Sequence, residues 1–205
     1  MTTTVSLRKT EDDDYRYFET WWNDRIIADG LRATVEDYPA SRIDEAFHRL
    51  SDEDTSESFG RTIIDPSGLP VGHIAGFGCK DPERNATLVV LIGPYFQDRG
   101  YGSCAMRLGI RLADSQLRAS TITANVWAFN LRARHMCESL GFVAHSRREH
   151  AVERDGHVYD AVIYQARTAD LVHRADAELD ARARGEALER QRFEPTAPSD
   201  RLSRR

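Results

Sequence analysis

The sequence of 205 residues has few cysteines, no long apolar run and no excess of positive charge. Its three cysteines, Cys79, Cys104 and Cys137, are odd in number and lack the spacing of metal ligands, so we expect neither a disulfide framework nor a metal site. No apolar run reaches the roughly 18 residues that span a membrane, and residues 1–4 lack the basic and apolar regions of a secretory signal. We therefore expect a cytoplasmic protein without a membrane partner.

The formal net charge of −5 argues against a general nucleic-acid binder, because such proteins carry a basic surface. It is compatible with a cationic substrate, although the acidic clusters at 11–14 and 52–54 are more typical of helix caps or solvated loops. The sequence also lacks the G-x-x-x-x-G-K-[ST] pattern of an ATP-binding loop. Its length and its 40% of hydrophobic residues suffice for one domain with a sizeable core.

Hydrophobic periodicity predicts a mixed α/β (α+β) domain over residues 1–167, with one central sheet of about seven strands and flanking helices. Residues 24–39 are predicted to be a loop, and the almost continuous apolar run 86–92 a strand buried on both faces. Residues 168–205 are predicted to form a charged helical extension, with Leu171, Ala175 and Leu179 in one stripe, and then a disordered tail. The predicted strands are 4–9, 58–64, 70–78, 86–92, 120–126, 142–151 and 157–166, and the predicted helices are 12–23, 41–50, 102–117 and 130–140.

The run 97–102, Gln-Asp-Arg-Gly-Tyr-Gly, follows the strand 86–92 and precedes a helix. This order aims several backbone N–H groups and a helix N-terminus at one spot, which is typical of a phosphate site. Residues 100–105 also fit the dinucleotide fingerprint G-x-G-x-x-A, but seven residues separate Ile92 from Gly100, and the next strand has no acidic residue to hold a ribose. The pattern that fits better is [Q/R]-x-x-G-x-[G/A], with Gln97, Gly100 and Gly102.

A second motif begins at Asn130 and Ala133 and ends at Glu138, Gly141 and Phe142. With the glycine loop, one helix and one strand before it, the chain resembles the GNAT superfamily of acyl-CoA-dependent N-acyltransferases, whose second motif runs roughly N-x-x-A-x-x-x-Y-E-x-x-G-F. The resemblance covers residues 4–167 and implies the GNAT fold, with a coenzyme cleft where two central strands splay apart. The last hairpin, 147–149 and 155–160, resembles the diamine and ribosomal-protein acetyltransferase branch.

The resemblance implies that the chain binds acetyl-CoA and needs no metal. The backbone of 90–92 would pair with the pantetheine arm, the amides of 97–102 would hold the pyrophosphate, Ser103 would add a hydroxyl, and Asn130 would face the coenzyme. Many relatives dimerise, so a homodimer is a further expectation. The expected coenzyme residues are Val90, Leu91, Ile92, Gln97, Asp98, Arg99, Gly100, Tyr101, Gly102, Ser103 and Asn130.

In the family's reaction a neutral amine attacks the thioester, while an acid protonates the leaving thiolate. The family's tyrosine acid falls at Cys137, whose thiol could donate a proton, but whose place on an apolar stripe with Met136 and Leu140 is more typical of a packing residue. The strand 87–92 lacks the common glutamate base, and Thr87 lies near its place. Alternative bases are His73, His135 and His145, and candidate residues for the amine site are Trp21, Trp22, Arg25 and Tyr38.

The resemblance therefore predicts an N-acetyltransferase that moves acetyl from acetyl-CoA to a primary amine, such as a small molecule, a polyamine or a protein N-terminus. Because the family's acid and base are both missing, a non-catalytic acyl-CoA-binding or interaction module on the same fold is the alternative. A dinucleotide-binding oxidoreductase is a third, weaker hypothesis.

Overall fold

The computed structural model describes residues 4–177 and forms a seven-stranded mixed sheet with helices on both faces, as predicted. A further helical segment covers 168–177 at the end of the described part. Among these residues, none of the helices has the length and apolar character that a membrane crossing needs. The strands are β1 (Ser6–Lys9), β2 (Phe59–Ile64), β3 (Pro70–Phe77), β4 (Asn85–Ile92), β5 (Thr121–Trp127), β6 (Val143–Arg154) and β7 (His157–Arg167), and the helices are α1 (Asp12–Trp22), α2 (Arg25–Leu31), α3 (Ala40–Ser51), α4 (Tyr101–Ser115) and α5 (Leu131–Leu140).

The sheet has the strand order β1-β2-β3-β4-β5-β7-β6, and its only parallel pair, among the described strands, is β4 with β5. This pair is short, because only residues 85–87 of β4 align with residues 121–123 of β5. By contrast, β4 stays paired with β3 as far as Ile92. The two central strands therefore separate after Thr87, and the predicted splay is present in the fold.

Two layers of helices cover the sheet. The first three helices pack an aromatic cluster on one face, where Phe18, Trp21 and Phe47 surround Leu91 of β4. Helix α4 packs on the other face through Met106 and Ile110, in the main core with Leu88. Since successive strand residues point to opposite faces, β4 contributes to both layers.

Helix α1 is fixed to the sheet by a partly buried ion pair. The carboxylate of Asp14 accepts hydrogen bonds from the Arg8 guanidinium at 2.6 and 2.7 Å and from the Thr62 hydroxyl at 2.7 Å. Burial by itself raises the pKa of Asp14, but these bonds and the Glu11 N–H outweigh it and lower the pKa. Asp14 is therefore ionised in the folded protein.

Two details differ from the sequence predictions. Residues 25–31, predicted to be loop, form α2, which begins at the N-cap Asp24, whose carboxylate accepts a hydrogen bond from the Ile26 N–H at 2.8 Å. Strand β4 is not buried on both faces, because Val90 and Ile92 lie half-exposed where β5 has diverged. Leu171 and Ala175 of the predicted extension are buried against the domain, whereas Leu179 and the predicted tail lie outside the described residues.

Candidate active site

The splay between β4 and β5 opens into a cavity of about 610 Å³. Its walls come from the end of β4, the loop after it, the first turn of α4, helix α2 and helix α5. Nine of the eleven residues expected at a coenzyme line this cavity, namely Val90, Ile92, Gln97, Asp98, Gly100, Tyr101, Gly102, Ser103 and Asn130.

One wall of the cavity is an unpaired strand edge. Gly93 donates its backbone N–H to Val71 of β3 at 2.9 Å, so alternation along β4 turns the N–H and C=O groups of Val90 and Ile92 away from β3. That edge faces the gap left by β5. The Ile92 carbonyl accepts a hydrogen bond from the side-chain amide of Gln97 at 3.2 Å, whereas Val90 presents its peptide groups to the cavity. Such an edge can pair with the amides of an extended ligand.

A second part of the cavity wall, next to Ile92, is the N-terminus of α4. Its N-cap, Gly100, has a left-handed φ of 77° and offers no side chain to the first N–H groups of the helix. Helix α1 carries three aspartates in its first turn, whereas α4 carries no acidic residue there. The N–H groups of Tyr101, Gly102 and Ser103 therefore lie at a positive helix end that has no carboxylate cap, which suits an anionic ligand.

The glycine loop is held by α5. Arg132 donates a hydrogen bond to the side-chain oxygen of Gln97, and its Nε lies 3.4 Å from Asp98. Arg132 also lines the cavity, so it places a cation beside the helix N-terminus. The structure does not bring the remaining two expected residues to the cavity wall: Leu91 points into the aromatic cluster, and Arg99 lies over the Phe96 ring at 5.8 Å.

Asn130 lines the cavity, but its side chain is engaged in the fold. Its Oδ1 accepts a hydrogen bond from the Ala133 N–H at 3.0 Å and so caps α5. Its Nδ2 donates to the Gly30 carbonyl of α2 at 2.8 Å. Asn130 thus holds two walls of the cavity together, because both polar atoms of its side chain have partners in the fold.

Sequence reasoning missed the wall formed by α2, because this stretch was predicted to be loop. Ile26, Ile27, Gly30 and Leu31 all line the cavity opposite the glycine loop. The available signal was Asp24, a good N-cap residue, directly before an apolar pair. The candidate amine residues do not line the cavity: Trp21 is buried in the aromatic cluster, with Trp22 packed against it, and Arg25 and Tyr38 lie outside the lining.

The structure places Cys137 in the core and not at the cavity. The residue is 2% exposed, and burial, with a smaller contribution from Glu138, raises the pKa of its thiol to about 12. Such a thiol has no path to a ligand in the cavity and is a poor acid. We therefore interpret Cys137 as a packing residue, which corrects its expected role as proton donor.

The candidate bases are dispersed. His73 is buried among Phe18 and Phe47, burial lowers its pKa to about 3, and its Nε2 lies 2.9 Å from the Ser51 hydroxyl. His145 is exposed on β6, away from the lining, whereas His135 is exposed on α5 and does line the cavity. Of these three histidines, only His135 is therefore accessible from the cavity.

Thr87 marks the last paired position before the strands splay. Its hydroxyl lies 3.0 Å from that of Thr123, which also donates to the Ala86 carbonyl at 3.2 Å.

No group of histidine, cysteine and carboxylate side chains in residues 4–177 has the arrangement of a metal site. The cavity combines the backbone hydrogen-bonding groups of β4 with the positive N-terminus of α4, and the two together suit an extended ligand that carries a phosphate group.

Comparisons with known proteins agree with this geometry. Residues 4–143 match the model of the acetyltransferase (GNAT) domain. Among solved structures, the spermidine N-acetyltransferase of Vibrio cholerae, in complex with CoA and spermine, superposes with a TM-score of 0.72 and 19% identity over 82% of this chain and 98% of that chain. An acetyltransferase of the GNAT family from Bacillus anthracis superposes with a TM-score of 0.67 and 14% identity, over 81% and 96% of the two chains. No curated protein sequence matches significantly.

Proposed function

This chain belongs to the GNAT acetyltransferase family, and we propose that it transfers the acetyl group of acetyl-CoA to a primary amine. The observation that carries this proposal is the splay of β4 from β5, which joins an unpaired strand edge and an uncapped helix N-terminus in one cavity. A non-catalytic coenzyme-binding module is not favoured, because the family is one of acetyltransferases.

The coenzyme would lie along the cavity in an extended conformation. The peptide groups of Val90 would pair with the pantetheine arm in the manner of an added strand. The first N–H groups of α4, assisted by the hydroxyl of Ser103 and the charge of Arg132, would hold the pyrophosphate. This placement would put the thioester on the Val90 side of the cavity, away from the N-terminus of α4.

The chemistry then depends mainly on position and polarity. A neutral amine attacks the thioester carbonyl, a C–N bond forms as the C–S bond breaks, and the nitrogen loses a proton while the CoA thiolate gains one. A backbone N–H of β4 would stabilise the developing oxyanion. With no glutamate at position 87, we expect the amine proton to leave through water, while the cavity holds the two reactants in contact.

The described lining of the coenzyme cavity offers no free carboxylate that would select a polyamine over another primary amine. Two carboxylates line the cavity, and each already has an arginine partner: Asp29 with Arg154 at 2.5 Å and Asp98 with Arg132 at 3.4 Å. A polycation gains most from unpaired carboxylates, and the described lining offers none. Spermine is bound by the Vibrio cholerae relative, so spermidine and spermine are among the candidate amines.

Calorimetric titration with acetyl-CoA, with NADH as a control, tests the coenzyme assignment. We expect micromolar affinity for acetyl-CoA and no heat from NADH. CoA release should then follow when a primary amine, such as an amino acid, an amino sugar, a peptide or spermidine, is added. Binding without release from any amine would support the non-catalytic alternative, and binding of NADH alone would revive the dinucleotide hypothesis.

Two further predictions from the sequence concern the state of the protein in the cell. A cytoplasmic location, expected from the small and odd number of cysteines in the sequence, stays a prediction. The homodimer remains a prediction that sedimentation or light scattering of the purified protein would test.

A further inference from the structure

Helix α2 is too short to be stable by itself. It has seven residues, includes Gly30, and forms one wall of the cavity through Ile26, Ile27 and Leu31. Isolated helices of this length are unstable in water, so partners outside the helix must hold it in place. Its last carbonyl groups are the natural points of attachment, because no later turn of the helix provides donors for them.

Side chains from the far half of the sheet provide these donors. The indole N–H of Trp127, at the end of β5, donates to the Leu31 carbonyl at 2.9 Å. The side-chain amide of Asn130, which caps α5, donates to the carbonyl of the preceding residue of α2, Gly30. Both donors lie across the gap from β4, so α2 bridges the splayed strands.

Arg154 completes the set from the last residue of β6. Its Nη1 donates to the carbonyls of Ala28 at 3.0 Å and Asp29 at 3.1 Å, and its Nη2 donates to the Asp29 carboxylate at 2.5 Å. One guanidinium thus satisfies two helix carbonyls and one charge. A cation at a helix C-terminus also interacts favourably with the helix dipole.

The setting of Arg154 makes this contact strong. Its side chain is 10% exposed, although the residue lies next to the turn of the β6–β7 hairpin. The guanidinium also lies 5.4 Å from the ring centre of Phe129, which lines the cavity. Partial burial reduces the screening that weakens ion pairs at the surface.

We propose that Arg154 is a positioning residue, which ties the β6–β7 hairpin to α2 and so holds α2 as the wall of the coenzyme cavity. Loss of this contact releases the end of α2, and the cavity then binds acetyl-CoA only after the helix has been ordered again. The coenzyme part of this inference rests on the proposed function, whereas the anchoring of α2 does not.

The test compares Arg154→Met with Arg147→Met. Both arginines lie on β6, but Arg147 pairs within the hairpin, with Asp160 at 3.4 Å, and is more than half exposed. In Arg154→Met we expect hydrogen exchange of the α2 amides to become at least about tenfold faster, and the acetyl-CoA Kd to rise about tenfold, the loss of roughly one charge-assisted hydrogen bond. In Arg147→Met both quantities should stay within about twofold of wild type.

Two more variants separate anchoring from general destabilisation. Arg154→Lys keeps the charge and one donor group, so it should restore part of the coenzyme affinity. Trp127→Phe removes the indole donor and keeps one aromatic ring, so it should accelerate exchange in α2 without a comparable change in the helices of the other layer. In steady state, Arg154→Met should raise KM for acetyl-CoA more than it lowers kcat.

Exchange in α2 that is unchanged in folded Arg154→Met would overturn the proposal. So would an acceleration spread equally over α2 and α4, since that would indicate a loss of global stability. If wild type does not bind acetyl-CoA, the proposed function fails, while the exchange comparison still decides whether Arg154 anchors α2.

Discussion

A single substitution at the start of α4 should strengthen the helix and weaken coenzyme binding at the same time. Ser103 lies in the first turn of α4 and lines the cavity. Ser103→Glu places a carboxylate where the helix dipole is positive, which stabilises a helix by about 0.3–1 kcal/mol. The same carboxylate would occupy the position assigned to the pyrophosphate. The two effects have opposite signs, so a folding defect cannot be mistaken for a loss of binding.

The size of the binding defect follows from the separation of the charges. At about 5 Å and an effective dielectric constant of about 20, two like charges repel by roughly 3 kcal/mol. Because the cavity opens to solvent, salt screens part of this repulsion, and we expect about 2 kcal/mol, or about 30-fold in Kd. The neutral variant Ser103→Gln has a similar volume without the charge and should lose much less affinity.

The assay is a titration of each variant with acetyl-CoA at low and high salt, together with thermal unfolding. For Ser103→Glu we expect an unchanged or slightly raised Tm, a Kd raised about 30-fold, and a defect that shrinks as salt is added. If Ser103→Glu is folded and binds acetyl-CoA like wild type, the N-terminus of α4 is not the pyrophosphate site, and the reasoning from the uncapped helix end is wrong.

Two other predictions concern Cys137 and Asp14. Cys137→Ala should leave turnover within about twofold of wild type, because a buried thiol outside the cavity does not donate the proton. The small loss of side-chain volume should lower the free energy of unfolding by about 1 kcal/mol. If turnover, measured by chromatography of the acetylated product, falls by about two orders of magnitude, the thiol is the acid after all. Asp14→Asn should lower the free energy of unfolding by about 2–3 kcal/mol at pH 7, because it breaks the pair with Arg8. Since the pKa of Asp14 in the folded protein lies below its ordinary value, the stabilisation by its carboxylate is present above pH of about 4 and is lost as the pH falls through the folded pKa. The free energy of unfolding in urea should therefore depend less on pH below about 4 in Asp14→Asn than in wild type. Equal pH dependence in both proteins would contradict this.

The strands and long helices could be predicted because their patterns are local. Alternating or continuous apolar runs mark their own boundaries, and the predicted ends of these strands and helices lie within three residues of the ends in the structure. The glycine loop could be predicted for the same reason, since a strand, two glycines and a helix follow one another directly. Its anion-binding character depends on backbone N–H groups, which the order of elements already positions.

Helix α2 could not be predicted in this way. Seven residues with a glycine and two adjacent isoleucines have little helical preference of their own. The donors that satisfy its C-terminus lie between 96 and 126 residues further along the chain, so no local pattern indicates them. For the same reason, the sequence does not indicate that the Asn130 side chain donates to the carbonyl of Gly30, 100 residues earlier in the chain.

The sequence by itself determined which residues form the central strands and the phosphate-type loop, because hydrophobic period, glycine and helix order act over a few neighbouring residues. The tertiary structure decided what faces the cavity. Because β5 diverges after Thr87, the peptide groups of Val90 face the cavity, while the Leu91 side chain lies in the aromatic cluster. The orientation of α5 about its own axis places Cys137 in the main core. These outcomes depend on strand pairing and on the packing of distant layers, where burial and the satisfaction of hydrogen bonds outweigh local preference.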